Sequence, residues 1–413
     1  MTKPMQWANA LSTRPSLEAA ITEVVEKVTQ SITNPNIGIV FISSAYASDY
    51  PRVLPLILDK LPLPILIGCG GGGIIGVNSG DVLEIEGTPA LSLSVAALPG
   101  VQMQPFYLEG ENLPDLDAPP KAWIDLIGVS PEQNPQFILL CDPFTSKISD
   151  LLEGLDFAYP GAIKIGGLAS SATMGLQQAL FYHHSKDNNT SVYREGTVGL
   201  ALWGDIILET IVAQGCRPIG SPYRISQCER NIIVELTDTD DESTSRPPLA
   251  ILQDLIQTLS EQDRLLAQQS LFIGIARDEF KLKLNHGDFL IRNLLGVDPR
   301  QGAIAIADRV RNGQRIQFHL RDAQTSATDL EILLQAYQRE AAQSSPAVGA
   351  LMFSCLGRGE GLYGKPNFDS RLLRNYLPKI SIGGFFCNGE IGPVGGRTFL
   401  HGYTSAFAIF RQP

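Results

Sequence analysis

The sequence predicts an α/β protein of two domains, each built from two repeated β-α-β-β units whose mixed sheets are flanked by helices. Three observations carry this. A short phrase recurs, β-branched residues around a spacer followed by two small residues: Ile65-Leu66-Ile67-Gly68-Cys69, Ile163-Lys164-Ile165-Gly166-Gly167 and Ile380-Ser381-Ile382-Gly383-Gly384. Each copy follows a proline (Pro64, Pro160, Pro378) that closes an apolar, helix-like stretch. An apolar strand stands before each helix, at a distance that suits a crossover to a parallel partner strand.

Residues 16–32 open with Ser16 as N-cap, and Leu17, Ala20, Ile21, Val24, Val25 and Val28 recur at helical steps, so an amphipathic helix is expected. The leading strands are Ile37–Ser43, Phe137–Cys141 and Gly349–Cys355. A fourth, worn copy is read from Leu271–Ile275, a helix around Asp288–Leu295 and a strand at Ala303–Ala307. Beyond the closing strands come alternating runs, Leu83–Leu98, Leu180–His184, Thr197–Trp203 and Arg315–Arg321, which make the sheets mixed. The domains are expected at 1–228 and 229–413. The polar stretch 237–248 reads as a mobile acidic insertion.

With 44% hydrophobic and 18% charged residues the chain is globular, and its 413 residues exceed one ordinary core. A net charge of −11 argues against nucleic acid or an anionic membrane surface as partner. The N-terminus lacks a secretory pattern, and the longest uncharged stretch, Leu61–Gly80, holds two prolines and a glycine run, so a cytoplasmic protein without a membrane span is expected. The six cysteines form no C-x-x-C pair, which favours reduced thiols. No metal or cofactor is expected.

These phrases, with Gln214–Gly220 and Gly383-Gly384-Phe385-Phe386-Cys387-Asn388-Gly389-Glu390-Ile391-Gly392-Pro393 followed by His401 and Thr404, resemble the FIST family over about residues 37–411. The resemblance implies a sensory unit of signal transduction that binds small ligands such as amino acids, with no established catalytic residues. With no output domain alongside, signalling would pass through a separate protein partner.

Gly68–Gly73 satisfies G-x-G-x-x-G formally, but no helix follows to hold a pyrophosphate. The small pairs Gly68-Cys69, Gly166-Gly167 and Gly383-Gly384 serve either close approach of a ligand at strand ends or close packing of backbone. Arg217 and Arg358, in Gly- or Pro-flanked loops, suit a ligand carboxylate or a structural ion pair. Cys387, Asn388, Glu390 and His401 complete the candidate ligand site. Cys387 with His401 and Glu390 is also the one constellation that would make a cysteine-dependent enzyme, against the reading of a buried small hydrophobe. A ligand-free interaction scaffold is the third class.

Overall fold

The computed structural model describes residues 3–172, 178–239, 244–284 and 286–413. Two compact units emerge, Met1–Ala213 with Glu331–Pro413, and Gln214–Leu330. The first unit consists of one arrangement used three times.

In the first copy, β1 (Gln6–Ser12) leads through α1 (Leu17–Ser31) to β2 (Ile37–Ser43), α2 (Tyr50–Lys60) and β3 (Ile65–Gly71), then a hairpin of β4 (Gly73–Asn78) and β5 (Asp81–Glu86), and β6 (Leu91–Ala97). The second copy repeats this with β7 (Val101–Leu108), α3 (Pro120–Ile127), β8 (Gln136–Cys141), α4 (Ile148–Ala158), β9 (Lys164–Leu168), β10 (Leu180–His184), β11 (Asn189–Tyr193) and β12 (Thr197–Gly204). The third opens with β13 (Ile207–Ala213). It is interrupted by β14 (Cys216–Glu229), β15 (Ile232–Asp238), β16 (Ser245–Arg246), α5 (Pro248–Thr258), α6 (Glu261–Ala267), β17 (Leu271–Ala276), β18 (Phe289–Asp298), β19 (Ala303–Ile306) and β20 (Arg315–Arg321). It resumes with α7 (Ala323–Glu340), β21 (Ala347–Cys355), α8 (Glu360–Tyr363), α9 (Phe368–Tyr376), β22 (Ser381–Cys387), β23 (Glu390–Val394), β24 (Arg397–His401) and β25 (Ser405–Arg411).

The three six-stranded sheets have matching orders: β1-β6-β2-β3-β10-β11, β7-β12-β8-β9-β23-β24 and β13-β25-β21-β22-β4-β5. The hairpin that follows each closing strand therefore completes another copy's sheet. β4–β5 joins the third sheet, β10–β11 the first and β23–β24 the second, a cyclic exchange. The inner faces share one core, including Phe41 and Ile67, Leu140 and Ile165, and Phe353 and Phe385. Helices cover the outer faces: α1 buries Leu17, Ala20, Ile21, Val24, Val25 and Val28, and Ser16 accepts the Ala19 N–H as its cap, as the spacing predicts.

Parallel pairing sets Val40 opposite Gly68, Leu139 opposite Gly166 and Met352 opposite Gly384. A Cβ at these glycines would lie 1.9, 1.8 and 2.0 Å from the carbonyl oxygen of the opposed residue. Only glycine fits, because any side chain would collide with a neighbouring strand. The third phrase is thus offset by one from its apparent alignment: Gly384, not Gly383, is the counterpart of Gly68 and Gly166.

The mixed α/β class and its flanking helices are as expected, but the fourth copy does not form. Residues 289–298 are a strand, β18, antiparallel to both β17 and β19. Phe289 and Ile291 are buried by a period of two, and the run lacks the crossover partner that a helix there requires. The interrupting unit is an antiparallel sheet with its own core around Ile273, Phe318 and Leu320. The expected boundary at 228/229 falls at the end of β14. Of the expected mobile insertion 237–248, residues 240–243 lie outside the described residues. Thr237 and Ser245, instead of forming a loop, pair in register between β15 and β16.

Candidate functional site

The three copies can be compared position by position, and the third departs from the others in one respect. It buries polar residues at places that are mostly apolar in theirs. The residue on the exchanged hairpin that pairs beside the conserved glycine is Leu180 opposite Cys69, Ile74 opposite Phe385, and Glu390 opposite Gly167. Counting back from the helix caps Leu61, Tyr159 and Leu377, Asp369 and Ser370 of α9 occupy the places of Val53 and Leu54 in α2 and of Leu151 and Leu152 in α4. The registered pair Ser354 and Ser405 replaces Ile42 with Leu91 and Cys141 with Thr197. All five polar residues are buried. Buried polar groups are costly unless paired, so the change demands an account.

Arg358, 1% exposed, is the centre of the network. Its Nε and Nη2 donate to the two Asp369 carboxylate oxygens at 2.6 and 3.1 Å, Nη2 also to the Tyr363 hydroxyl at 2.6 Å, and Nη1 to the Tyr403 carbonyl at 3.4 Å. Tyr363 in turn donates to Asp369 at 2.7 Å. Burial alone would lower the pKa of Arg358, but Asp369 and Tyr363 more than offset it and the guanidinium stays charged. On β5, Glu84 accepts the Ser370 N–H at 2.7 Å, while its own N–H donates to Asn367 at 2.6 Å. Burial, and Asp369 beside it, push the Glu84 carboxyl up to about 7.

Glu390 is fully buried. Its Oε2 accepts the Thr404 N–H at 3.1 Å and the Thr404 hydroxyl at 2.8 Å. This half of the carboxyl has a structural duty, because the equivalent N–H groups are also met by side chains, Ala90 by Ser43 at 3.1 Å and Gly196 by Thr145 at 3.0 Å. The other half has none: Oε1 finds no hydrogen-bond partner among the described residues, and neither do the hydroxyls of Ser354 and Ser405, while Ser370 lies against the Glu84 carboxyl and helps to hold its pKa down. Burial pushes Glu390 up to about 8, against the opposing pull of the Thr404 bonds and of Arg358. Each unpaired buried polar group costs roughly 1–3 kcal/mol.

Four of the sequence-predicted residues meet in this copy. Glu390, Arg358 and Cys387 are electrostatic neighbours, and His401 stands opposite Glu390 in the β23–β24 register with its Nε2 3.0 Å from the Gly392 carbonyl. Burial raises the Cys387 thiol well above its ordinary range, and its Sγ lies 3.6 Å from the Phe385 carbonyl, so the thiolate that a cysteine nucleophile needs is disfavoured. Asn388 is exposed, and its N–H donates to the Leu168 carbonyl at 3.0 Å. Gly68, Cys69, Gly166, Gly167, Gly383 and Gly384 are all buried. Protein atoms already take the space beside them: a Cβ at Gly167 would lie 2.4 Å from Cys387 Sγ, and one at Gly383 2.3 Å from Ser94 Oγ. Packing is therefore what these glycines do here. Arg217 lies in the other unit, held by Asp263 and, at 2.9 Å, by Asp322, which is the structural ion pair rather than a free fork. Sequence reading missed Glu84, Asp369, Ser370, Ser354 and Ser405. Alignment of the three copies on their glycines exposes them as polar residues at apolar places.

The FIST N domain matches residues 36–239 and the FIST C domain residues 248–393. This chain belongs to the FIST family. The first match ends and the second begins inside the interrupting unit, so the N domain covers the first copy from β2 onward and the second copy, and the C domain carries most of the third. Similar proteins include an uncharacterized protein of Mycobacterium tuberculosis, 31% identical over 97% of this chain and 98% of its own length. One of Mycobacterium bovis is 33% identical, over 91% and 90%. An F-box/LRR-repeat protein of Arabidopsis thaliana is 22% identical over 67% of this chain and 57% of its own. Among solved structures, cyanuric acid hydrolase from A. caulinodans aligns over 99% of both chains at 9% identity and a TM-score of 0.33, a likeness too low to carry an argument. FIST domains are associated with signal transduction. Among the described residues no helix is long and apolar enough to cross a membrane, and no group of three or more metal-ligating side chains gathers.

Proposed function

We propose that this FIST protein is a cytoplasmic sensory module that binds a small polar metabolite, such as an amino acid or a related compound, in the polar third copy and passes the change to a separate signalling partner. The reading is carried by one observation: three buried side chains of the third copy, Glu390, Ser354 and Ser405, each carry an oxygen with no hydrogen-bond partner among the described residues. The first copy fills the Ser354 and Ser405 places with Ile42 and Leu91, and both other copies keep an apolar residue at the Glu390 place, so stability alone gives no reason to make them polar here. Hydrogen-bonding capacity left open inside a fold is capacity for a guest. Binding would be reported by the elements that hold these residues, β21, β23 and β25, and by the Arg358 loop.

Thermal-shift screening of the full chain against a polar metabolite panel tests this. A ligand at a hundred times its Kd adds about 2.7 kcal/mol, readily seen as a raised Tm. A hit is expected, and Glu390→Gln should remove it. A panel without any stabilising member, or a hit untouched by substitutions at Glu390, Ser354 and Ser405, contradicts the reading.

A further inference from the structure

We propose that Cys355 and Cys387 form a reversible disulfide when the protein meets a peroxide, which gives the third copy a redox input that depends on no guest.

β21 and β22 run parallel, with Cys355 and Cys387 directly opposite as the last pair of their register. Neighbouring strands lie about 4.8 Å apart, and a disulfide joins Cα atoms roughly 4.4–6.8 Å apart, so the two backbones already stand at bonding distance. Opposed residues of a registered pair project to the same face. Two residues earlier on that face Phe353 and Phe385 meet, their ring centroids 5.9 Å apart. The two thiols are electrostatic neighbours, and both are reduced in this structure. The third copy is the one that carries this pair. The same places hold Ser43 and Gly71 in the first copy, and Asp142 and Ala169 in the second.

The surroundings of the two sulfurs set the order of the chemistry. Cys355 is half-buried beside Leu356, which is 38% exposed, so it is the thiol open to a small oxidant. The Gly357 N–H donates to its Sγ at 3.4 Å, and the Arg358 guanidinium is its electrostatic neighbour; both favour negative charge on sulfur. Cys387 is fully buried with its thiol raised well above the ordinary range, so it does not attack first. The Cys355 thiolate attacks one oxygen of hydrogen peroxide, the O–O bond breaks, and the other oxygen leaves as hydroxide and takes a proton from solvent. Cys355 is then a sulfenic acid. The Cys387 sulfur attacks it, the S–O bond breaks, and hydroxide departs with the Cys387 proton as water. Two thiols and one peroxide give one disulfide and two waters, with two electrons passing from sulfur to oxygen. A thiol reductant reverses the step.

The new bond acts on the turn beside it. The Arg358 N–H donates to the Cys355 carbonyl at 2.8 Å, and the Leu356 N–H to the Cys387 carbonyl at 3.0 Å. Cys355 thus anchors the turn that delivers Arg358 to Asp369 and Tyr363, and oxidation shifts that anchor.

Peroxide titration of the reduced full chain, followed by alkylation, digestion without reductant and mass spectrometry, tests the pair. Hydrogen peroxide is expected to remove two of the six thiols and yield a cross-linked peptide joining Cys355 to Cys387, and dithiothreitol to restore all six. Cys387→Ser should give no cross-link and leave Cys355 as a sulfenic acid that dimedone labels. Amide hydrogen exchange of residues 356–363 should change by about threefold or more between the reduced and oxidised chains. Thiol loss without that cross-link, a cross-link through another cysteine, or six thiols surviving a large peroxide excess overturns the pair. Equal exchange in the two forms overturns its reach to Arg358. The mapping uses the unsubstituted chain, so it stands if Cys387→Ser fails to fold, and it uses no guest, so its outcome is separate from that of the ligand screen.

Discussion

At the scale of single residues, the third copy holds groups that lower stability where they stand. Ser354 and Ser405 bury hydroxyls without partners, so Ser354→Ala and Ser405→Ala should be neutral or stabilising by about 1 kcal/mol each in urea denaturation, the reverse of the usual cost of losing a buried serine bond. Arg358→Met should destabilise by roughly 3–5 kcal/mol, because it strands Asp369 beside Glu84 in the core. The pH dependence has a definite sign. Glu390 and Glu84 are raised to about 8 and about 7 from 4.5, so the folded state holds more protons than the unfolded chain between those limits. Stability is then full near pH 4.5 and is lost as the pH rises towards 8. Thermal unfolding followed from pH 5.5 to 8.5 should show a falling Tm with a shallower slope in Glu390→Gln; a Tm that rises over this range contradicts the burial argument.

Among elements, the strand pairs that open and close each copy depend on one glycine apiece. Gly68→Ala, Gly166→Ala and Gly384→Ala each drive a methyl into a carbonyl oxygen and should cost more than about 3 kcal/mol, whereas Gly296→Ala, with nothing within 4 Å, should stay within about 0.5 kcal/mol. Equal effects at the two kinds of site would refute the packing role. These elements were also the legible part of the sequence. Ser16 and the apolar spacing behind it define α1, and the Ile-x-Ile-Gly phrases mark the closing strands, because both signals lie within a few residues of the structure they specify. Residues 289–298 misled, since a short apolar run fits a helix or a strand and only its partners β17 and β19 decide. The polar site was half legible. Glu390, Arg358, Cys387 and His401 stand in glycine-rich phrases, while Ser354, Ser370 and Ser405 look like ordinary small residues until their counterparts in the other copies are placed beside them.

Taken whole, the molecule owes its first compact unit to the exchange of hairpins. A chain ending after β12 would lack β23–β24, which complete its second sheet, and would leave β4–β5 without β22. The first two copies alone are therefore expected to aggregate, while the full chain unfolds that unit in one transition. The interrupting unit differs, because it enters and leaves at neighbouring residues, Cys216 opposite Arg321 in register. Replacing 217–320 by a short turn should leave the three-sheet unit folded by circular dichroism and thermal melting. The threefold repeat also explains how one site arises: two copies keep the apolar interior and the third is free to turn polar around Arg358. The most direct measurement of that claim is a high-resolution crystal structure of the full chain grown with the strongest panel hit. The account predicts guest density within hydrogen-bonding distance of Glu390 Oε1. Density for the hit elsewhere, with Glu390 Oε1 met only by water, would contradict it.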